Sequence, residues 1–490
     1  MASVATEFPE TYGWDTVFAM KIDAANRILA TMPVNGPYSD TIPTSIGTTT
    51  LNWSFGQWQI SDVTGGGSIE VTMHFGAGSK LTVTATGQAP VEHMLDGPGY
   101  ACKVTFEAIF NDTTGQLLAV TEGQWADVTL VTPPAFGPSN RLALATLLQD
   151  WFNNDPAAAA LFSKELLALD MTSDIGSSVP WLQPRKLGFA GGLMADGSTK
   201  AIGIMTLVAG SNTAEPGRLQ LSPLALPANA EAGFFMSRAL VMKNLFGPAV
   251  AATYADDHQG DFINNYTLDS DDASVTNRVP LAATLDVGGT PRKCTIDAGK
   301  LKCWLDGRFL HMTLEPMTIA TDVDTVFIDA TIREQMELSL LQLPAPANAS
   351  NFALNSVDPQ ISLSKHNSDS MTIGTIVGGI VIALLLGALA VWTPKGFFQN
   401  VLKLSERSAK IWARVVVGAA GVIAGGAVAV IPYLVTKLKD SDISEVPSLD
   451  PLLDAALSRL NWPEGGRTKF VATKASFANG VLMAVRLETP

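Results

Sequence analysis

The chain has 490 residues, enough for two or three domains with substantial cores. Charged residues make up only 16% of it, against ~25% in ordinary soluble domains, so extensive sheet, buried helix or lipid-facing surface is expected. The net charge of −14 argues against nucleic acid as a partner, because phosphate backbones bind basic proteins.

The first predicted element is a helix near the N-terminus. Asp15 can cap it, and Met32-Pro33 ends it. Its apolar face consists of residues at helical spacing: Phe18, Ile22, Ala25 and Leu29.

Strands follow from about Leu51 to Thr132, where apolar and polar residues alternate, as in Ile69, Val71, Met73 and Phe75. This alternation predicts an antiparallel sheet with one face in water. Further along, the patterns predict two more helices, Asn140–Asp170 and Ala230–Ala252. They also predict strands over Trp181–Gly210, Phe262–Leu343, Lys469–Lys474 and Gly480–Leu487.

The order of elements suggests an internal repeat. The stretch Ala201–Leu207 resembles Asn479–Val485, and each half of the chain combines a helix with long strands. We therefore expect an α+β fold with two related units. The predicted domains are residues 1–180 and 181–345, each with helix and sheet, and residues 346–490, an apolar helical block whose closing strands pack back on the sheets.

Two long apolar runs dominate the C-terminal third, Met371–Trp392 and Val415–Val435. Each has about the 20 residues that cross a bilayer as a helix. Their glycines, such as Gly374 and Gly378, allow close helix packing either in lipid or against a sheet. The sequence leaves both environments open.

The connector between the runs is basic and amphipathic, with Glu406 as its single acidic residue. A cytoplasmic connector would place the long preceding chain outside the membrane, yet the N-terminus lacks a signal-peptide pattern. We therefore favour helices that are buried or in contact with lipid, and we expect synthesis in the cytoplasm. A membrane-inserting hairpin is the alternative.

The candidate site residues fall into two sets. The residues expected to contact lipid or line a groove are Ile373, Ile376, Val377, Ile380, Leu384, Val422, Val428 and Ile431. The residues expected to dock on a membrane surface are Lys395, Phe397, Phe398, Lys403, Lys410, Trp412 and Arg414, because cations and aromatic rings together suit anionic headgroups. An ordinary amphipathic helix lying on a sheet is the structural alternative for the connector.

Catalytic and metal-binding motifs are absent from the sequence. It contains no phosphate-binding glycine loop, no nucleophile elbow and no zinc spacing, and its five histidines are scattered. We therefore expect no enzyme, no metal and no cofactor other than a bound lipid. Ala298-Gly299 reads as a hairpin turn that places Cys294 opposite Cys303, either as adjacent free thiols or as a disulfide.

The two ends of the chain resemble a known family. Thr11–Ala19 with Asn26, and Trp462-Pro463 with Phe477–Leu482, are similar to the clostridial 47-kDa neurotoxin-cluster proteins, relatives of the OrfX proteins. The resemblance implies the tubular lipid-binding (TULIP) fold, with long helices wrapped by curved antiparallel sheets.

The same resemblance implies a non-enzymatic accessory of a bacterial toxin gene cluster that interacts with lipid or with other cluster proteins. It also implies release together with a toxin by a non-classical route. Two alternatives remain: a structural or assembly subunit, including a homo-oligomer, and a membrane-inserting, pore-forming protein.

Overall fold

The computed structural model describes residues 8–30, 35–44, 47–63, 66–110, 117–119, 124–158, 168–169, 180–211, 215, 217–248, 250, 262–287, 290–320, 327–342, 350–357, 360–365, 460–461 and 469–488. These residues form mainly antiparallel sheets with few helices. The helices are α1 (Ile22–Leu29), α2 (Pro138–Asn154), α3 (Arg238–Val241, extended by a π-helical turn at Met242–Phe246) and α4 (Phe262–Asn265), with short 3-10 turns at Pro134–Phe136 and Pro180–Leu182.

The strands of the first half are β1 (Thr16–Lys21), β2 (Asn35–Thr44), β3 (Gly47–Val63), β4 (Ser68–Phe75), β5 (Lys80–Ala85), β6 (Val91–Met94), β7 (Ala101–Phe110), β8 (Leu117–Ala119), β9 (Ala126–Val131), β10 (Ala168–Leu169), β11 (Pro184–Leu193) and β12 (Lys200–Val208). Those of the second half are β13 (Ala232–Ser237), β14 (Tyr266–Leu268), β15 (Val275–Asn277), β16 (Leu281–Val287), β17 (Thr290–Ile296), β18 (Leu301–Asp306), β19 (Phe309–Ala320), β20 (Phe327–Gln342), β21 (Ser350–Ser356), β22 (Gln360–Lys365), β23 (Leu460–Asn461), β24 (Lys469–Phe477) and β25 (Gly480–Glu488).

A six-stranded sheet joins the two halves, in the order β11-β12-β1-β13-β25-β24. Its central strands, β1 and β13, are antiparallel, with Phe18 opposite Phe234. Each central strand is followed by a short helix and carries a two-stranded hairpin, β11–β12 on β1 and β24–β25 on β13. We call residues 16–208 the first unit and residues 232–488 the second unit.

The four inner strands of this sheet, β12, β1, β13 and β25, are related by a local twofold axis between Phe18 and Phe234. On either side of this pair, Ile204 of β12 lies opposite Phe18, and Met483 of β25 lies opposite Phe234. The stretches that echo each other in sequence, Ala201–Leu207 and Asn479–Val485, therefore lie in equivalent strands but are displaced by one residue, because Ile204 corresponds to Met483 and not to Leu482. The domain limits expected at residues 180 and 345 stay a prediction.

Each unit also contains a larger sheet built around one long strand. In the first unit β4 and β5 pair with successive parts of β3, and in the second unit β17 and β18 pair with successive parts of β19. The predicted alternation is confirmed here: Ile69, Val71, Met73 and Phe75 of β4 are buried, while the residues between them are partly exposed.

Helix α2 covers the sheet of the first unit. Its buried residues recur at helical spacing: Leu144, Leu147, Leu148, Trp151 and Phe152. The Trp151 and Phe152 rings lie 6.1 and 6.0 Å from the Phe55 ring of β3. Truncating a fully buried aromatic residue such as Phe152 to alanine costs about 3–5 kcal/mol, so these contacts account for much of this unit's stability.

Two predicted helices begin too early. Residues Thr16–Lys21 are strand, and α1 begins only at Ile22; likewise Ala232–Ser237 is strand, and the helical residues begin at Arg238. Both strands lie at the centre of a sheet and are buried on both faces, so they are continuously apolar and lack the alternation that identifies a strand.

The expected long helices wrapped by sheet are not found in the described part of the chain. Its longest helix, α2, has 17 residues, and α1 has eight. The described core consists mainly of apolar strand faces packed on short helices. This is a correction to the predicted fold, whose antiparallel sheets are otherwise confirmed.

The predicted hairpin at Ala298-Gly299 is also wrong. Cys294 lies opposite Ile319 and Cys303 opposite Met312, so β17 and β18 run in line along the same strand. Seven residues of β19 separate the two positions, a distance of about 24 Å, which no disulfide can span. Both cysteines are buried and form no disulfide.

Asn277 explains why the chain continues straight at this point. Its buried side chain donates to the Asp297 carbonyl at 2.8 Å and accepts from the Leu301 amide at 2.9 Å. The amide therefore satisfies backbone groups on both sides of the bulge at Ala298-Gly299 and holds β17 and β18 in line.

Candidate functional site

All of the predicted site residues lie outside the described residues. This applies to the set expected to contact lipid, Ile373, Ile376, Val377, Ile380, Leu384, Val422, Val428 and Ile431, and to the set expected to dock on membranes, Lys395, Phe397, Phe398, Lys403, Lys410, Trp412 and Arg414. The described structure does fix the two points between which this block is inserted.

The block connects the second unit's large sheet to the six-stranded sheet. The chain leaves β22 at Lys365, which lies opposite Ile328 of β20, and enters β24 at Lys469, which lies opposite Glu488. The equivalent connection in the first unit, between β9 and β11, contains α2. The two connections also pair with each other, Ala168 with Asn461.

The N-terminal motif shapes the start of β1. Tyr12 and Gly13 have positive φ values of 51° and 94°, and a Cβ on Gly13 would lie 3.1 Å from the Gly217 backbone. The Trp14 indole is 3% exposed, and its Nε1 donates to the Arg218 carbonyl at 2.9 Å. The turn and the tryptophan together fix the position at which Asp15 enters the sheet.

Asp15 is a buried carboxylate, 5% exposed, at the end of β12. It accepts from the Val208 amide at 2.9 Å and from the Ser211 hydroxyl at 2.8 Å. Burial raises the pKa of the Asp15 carboxyl, while these hydrogen bonds and the charges of Arg185 and Lys243 act to lower it. Asp15 was expected to cap a helix; instead it holds the end of a strand.

The local twofold repeats this arrangement with a more exposed carboxylate. Glu231 precedes Phe234 by three residues, as Asp15 precedes Phe18, and it accepts from the Leu487 amide at 3.1 Å. Glu231 also pairs with Arg27, which occupies the place in the first unit that Lys243 occupies in the second. The carboxylates therefore link β1 and β13 to the ends of the two hairpins.

Two asparagines from the family-like ends have comparable roles. The Asn26 side chain donates to the Ile60 carbonyl at 2.9 Å and accepts from the Ile60 amide at 2.7 Å, which attaches α1 to β3. Asn479, with a φ of 54°, accepts from the Gly307 amide at 2.8 Å and attaches the β24–β25 turn to the second unit's large sheet. Asn26 and Asn479 are thus structural contacts, whereas Trp462-Pro463 of the family-like C-terminal end lies outside the described residues.

The described residues offer little reactive chemistry. Within them, no group of three or more His, Cys, Asp or Glu side chains is placed to hold a metal ion. Burial raises the pKa of the Cys102 and Cys303 thiols, which keeps them protonated and unreactive. None of the described helices has the length and apolar character needed to cross a bilayer.

Two clefts open on the described surface. One, of about 630 Å³, lies between β9 and α2 and is lined mainly by polar residues such as Gln149 and Asn153. Both side chains already bond the free edge of β9, at the Val128 and Ala126 amides respectively. The other, of about 360 Å³, lies on the second unit's large sheet beside Trp304 and His311. Sequence reasoning missed this cleft; the alternation of Lys302 and Trp304 with buried residues was its visible signal.

These features define a class of protein. Its members consist mainly of antiparallel sheets in two units, each with a strand followed by a short helix, and carry an apolar block inserted between two strands. The family model OrfX-like, "Protein OrfX2/OrfX3/P47", matches residues 11–485. The chain therefore belongs to the OrfX-like family, which confirms the resemblance that its two ends suggested.

Solved structures agree with this assignment. P47 of Clostridium botulinum E1 superimposes with a TM-score of 0.60 at 12% identity, over 97% of this chain and 100% of that one. P47 from Clostridium botulinum A2 gives a TM-score of 0.56 at 15% identity, over 82% and 90%. At such identities the likeness establishes the fold alone. No curated protein matches the chain.

Proposed function

We propose that the protein is a non-enzymatic, lipid-interacting accessory of a bacterial toxin gene cluster, built on the tubular lipid-binding architecture. Membership of the OrfX-like family and the similarity to the clostridial P47 structures support this role. Other proteins encoded in such a cluster are its proposed protein partners.

One observation carries the lipid part of the proposal. The apolar runs Met371–Trp392 and Val415–Val435 flank a basic connector, and the whole block is inserted between β22 and β24 of the folded body. In the first unit the equivalent connection places an apolar helix face on a sheet. The block is far more apolar than that helix. Such a composition is expected of a segment that can leave its contacts with protein and contact acyl chains instead.

The connector supplies the complementary charge. Lys395, Lys403 and Lys410 lie close in sequence to Phe397, Phe398 and Trp412, in a protein that is otherwise acidic. Each cation near an anionic bilayer contributes about 1 kcal/mol, and the aromatic rings suit the interface between headgroups and acyl chains. The protein as a whole would be repelled by such a surface, so a local basic segment is required for binding.

Flotation with vesicles tests the proposal. Full-length protein is mixed with phosphatidylcholine vesicles that contain 0 or about 30% phosphatidylserine. If all three cations reach the surface, the variant Lys395→Gln/Lys403→Gln/Lys410→Gln should lose about 3 kcal/mol of membrane-binding free energy. This corresponds to a roughly hundredfold lower partitioning onto the anionic vesicles.

The matched control neutralises three exposed lysines elsewhere, Lys293→Gln/Lys300→Gln/Lys474→Gln, and is expected to float like the wild type. Native mass spectrometry of detergent-free protein examines the other route, a lipid carried within the fold. Absence of flotation on every vesicle, together with absence of bound lipid in the mass spectrum, would overturn the proposal.

A further inference from the structure

The cleft on the second unit's large sheet has a distinct chemical character. It lies on the partly exposed face of four neighbouring strands, β18, β19, β20 and β22. The strand register places its side chains in rows: Trp304, His311 and Gln335 lie opposite one another, and Thr313 lies opposite Arg333 in the next row. The cleft holds about 360 Å³, within the range of small-ligand sites.

One wall of the cleft is aromatic. The Trp304 and His311 rings are parallel, with their centroids 4.9 Å apart and their planes 6° apart, and Phe309 meets His311 edge-on. Lys302 lies 5.5 Å from the centre of the Trp304 ring, which further restrains the indole. This fixed pair of rings presents apolar carbon and ring C–H groups beside polar side chains.

The opposite side of the cleft is polar and holds one cation, Arg333, beside the carboxyl groups of Glu315 and the buried Glu334. Arg333 donates through Nε to Glu315 at 2.6 Å, and its side chain is 60% exposed at the cleft. Thr313 and Gln335 add a hydroxyl and an amide. Burial lowers the pKa of His311, so the imidazole is neutral near pH 7 and can both donate and accept.

The combination matches one chemical class of ligand. A pyranose ring has an apolar face of C–H groups that stacks on aromatic rings, and neighbouring hydroxyls that bond planar amides, carboxylates and guanidinium groups in pairs. A phosphate or carboxylate ligand fits less well, because the Arg333 charge is already matched by Glu315. We propose that this cleft binds a neutral pyranose sugar, as part of a free or cell-surface oligosaccharide.

The sugar site is separate from the proposed lipid segment. Its residues lie between Trp304 and Gln360, whereas the lipid proposal concerns residues 371–435. Either function can therefore fail without affecting the other.

The test is binding of fluorescently labelled full-length protein to a glycan array. The array carries neutral oligosaccharides that end in galactose, glucose, mannose or N-acetylhexosamine, together with sialylated ones. Positive sugars are then titrated by calorimetry against Trp304→Ala and Arg333→Ala. The matched control is Arg486→Ala, because Arg486 is exposed and pairs with Glu488 at 2.8 Å, much as Arg333 pairs with Glu315.

We expect at least one neutral sugar to bind the wild type and the Arg486 variant with equal affinity. Its affinity for either cleft variant should be lower by tenfold or more. Arg333 is 60% exposed, so its variant folds even if the Trp304 variant does not. The proposal is overturned if no array sugar binds, if Arg333→Ala and Arg486→Ala behave alike, or if only sialylated sugars bind.

Discussion

Replacing Asp15 by alanine should weaken the fold more than the equivalent change at Glu231. The alanine variant removes the acceptor of the buried Val208 amide and of the Ser211 hydroxyl. Leaving a buried donor without a partner costs about 1–3 kcal/mol, and a hydrogen bond to a charged group contributes about 1.5–3 kcal/mol. The alanine variant no longer buries a carboxylate, and this recovers part of the lost free energy of unfolding. The expected net loss is about 3 kcal/mol.

Glu231→Ala provides the internal comparison. Its side chain is 34% exposed, and its partner Arg27 is 58% exposed, so water replaces much of what is lost. A solvent-exposed ion pair contributes about 0–1 kcal/mol, and we therefore expect a loss of about 1 kcal/mol at this position. Urea unfolding of both variants, followed by tryptophan fluorescence at 25 °C and pH 7, measures the difference.

Asp15→Asn separates hydrogen bonding from charge. The amide oxygen can accept from Val208 while its nitrogen donates to the Ser211 hydroxyl, so we expect a loss of less than about 1 kcal/mol. An alanine variant that unfolds at the same urea concentration as the asparagine variant, or as Glu231→Ala, would refute this account of the strand end.

The pH dependence has a definite sign. Because burial raises the pKa of Asp15 in the folded state, the protonated carboxyl favours folding. This contribution is fully present below the unfolded pKa of about 3.9 and is lost as the pH rises through the folded value. The stability of the wild type relative to Asp15→Asn should therefore fall as the pH is raised from about 3.5 to 7; a rise over this range would contradict it.

Three further outcomes follow from the packing. Gly480→Ala should cost about 2 kcal/mol in urea unfolding, because its Cβ would lie 2.3 Å from the Met236 carbonyl oxygen; Gly56→Ala, with its nearest neighbour at 3.6 Å, should be nearly neutral. Gln149→Ala should increase light scattering on warming, because it exposes the edge of β9 that the glutamine covers. Oxidised native protein should show no Cys294–Cys303 peptide by mass spectrometry, whereas such a peptide would mean that β17 and β18 do not run in line.

Local pattern determined much of this protein. Alternation placed β4, β7 and the closing strands β24 and β25, and helical spacing placed the apolar face of α2, because each signal lies within a few neighbouring residues. The two ends of the chain also identified the family. The candidate lipid-interacting segment was also identified from sequence alone, because the length and apolar composition of its two runs favour a non-aqueous environment in any fold.

Only the tertiary structure determined the conformation and the hydrogen-bond partners of residues that contact distant segments of the chain. The helical spacing of Phe18 with Ile22 predicted a helix that includes Thr16–Lys21, yet this segment is strand because β12 and β13 supply partners on both of its edges. Ala298-Gly299 has the composition of a hairpin turn, yet the chain continues straight because Asn277 bonds both sides of the bulge. Asp15 meets Val208 across 193 residues of sequence. The partner of each group lies far along the chain, and no window of local sequence contains both halves of such an interaction.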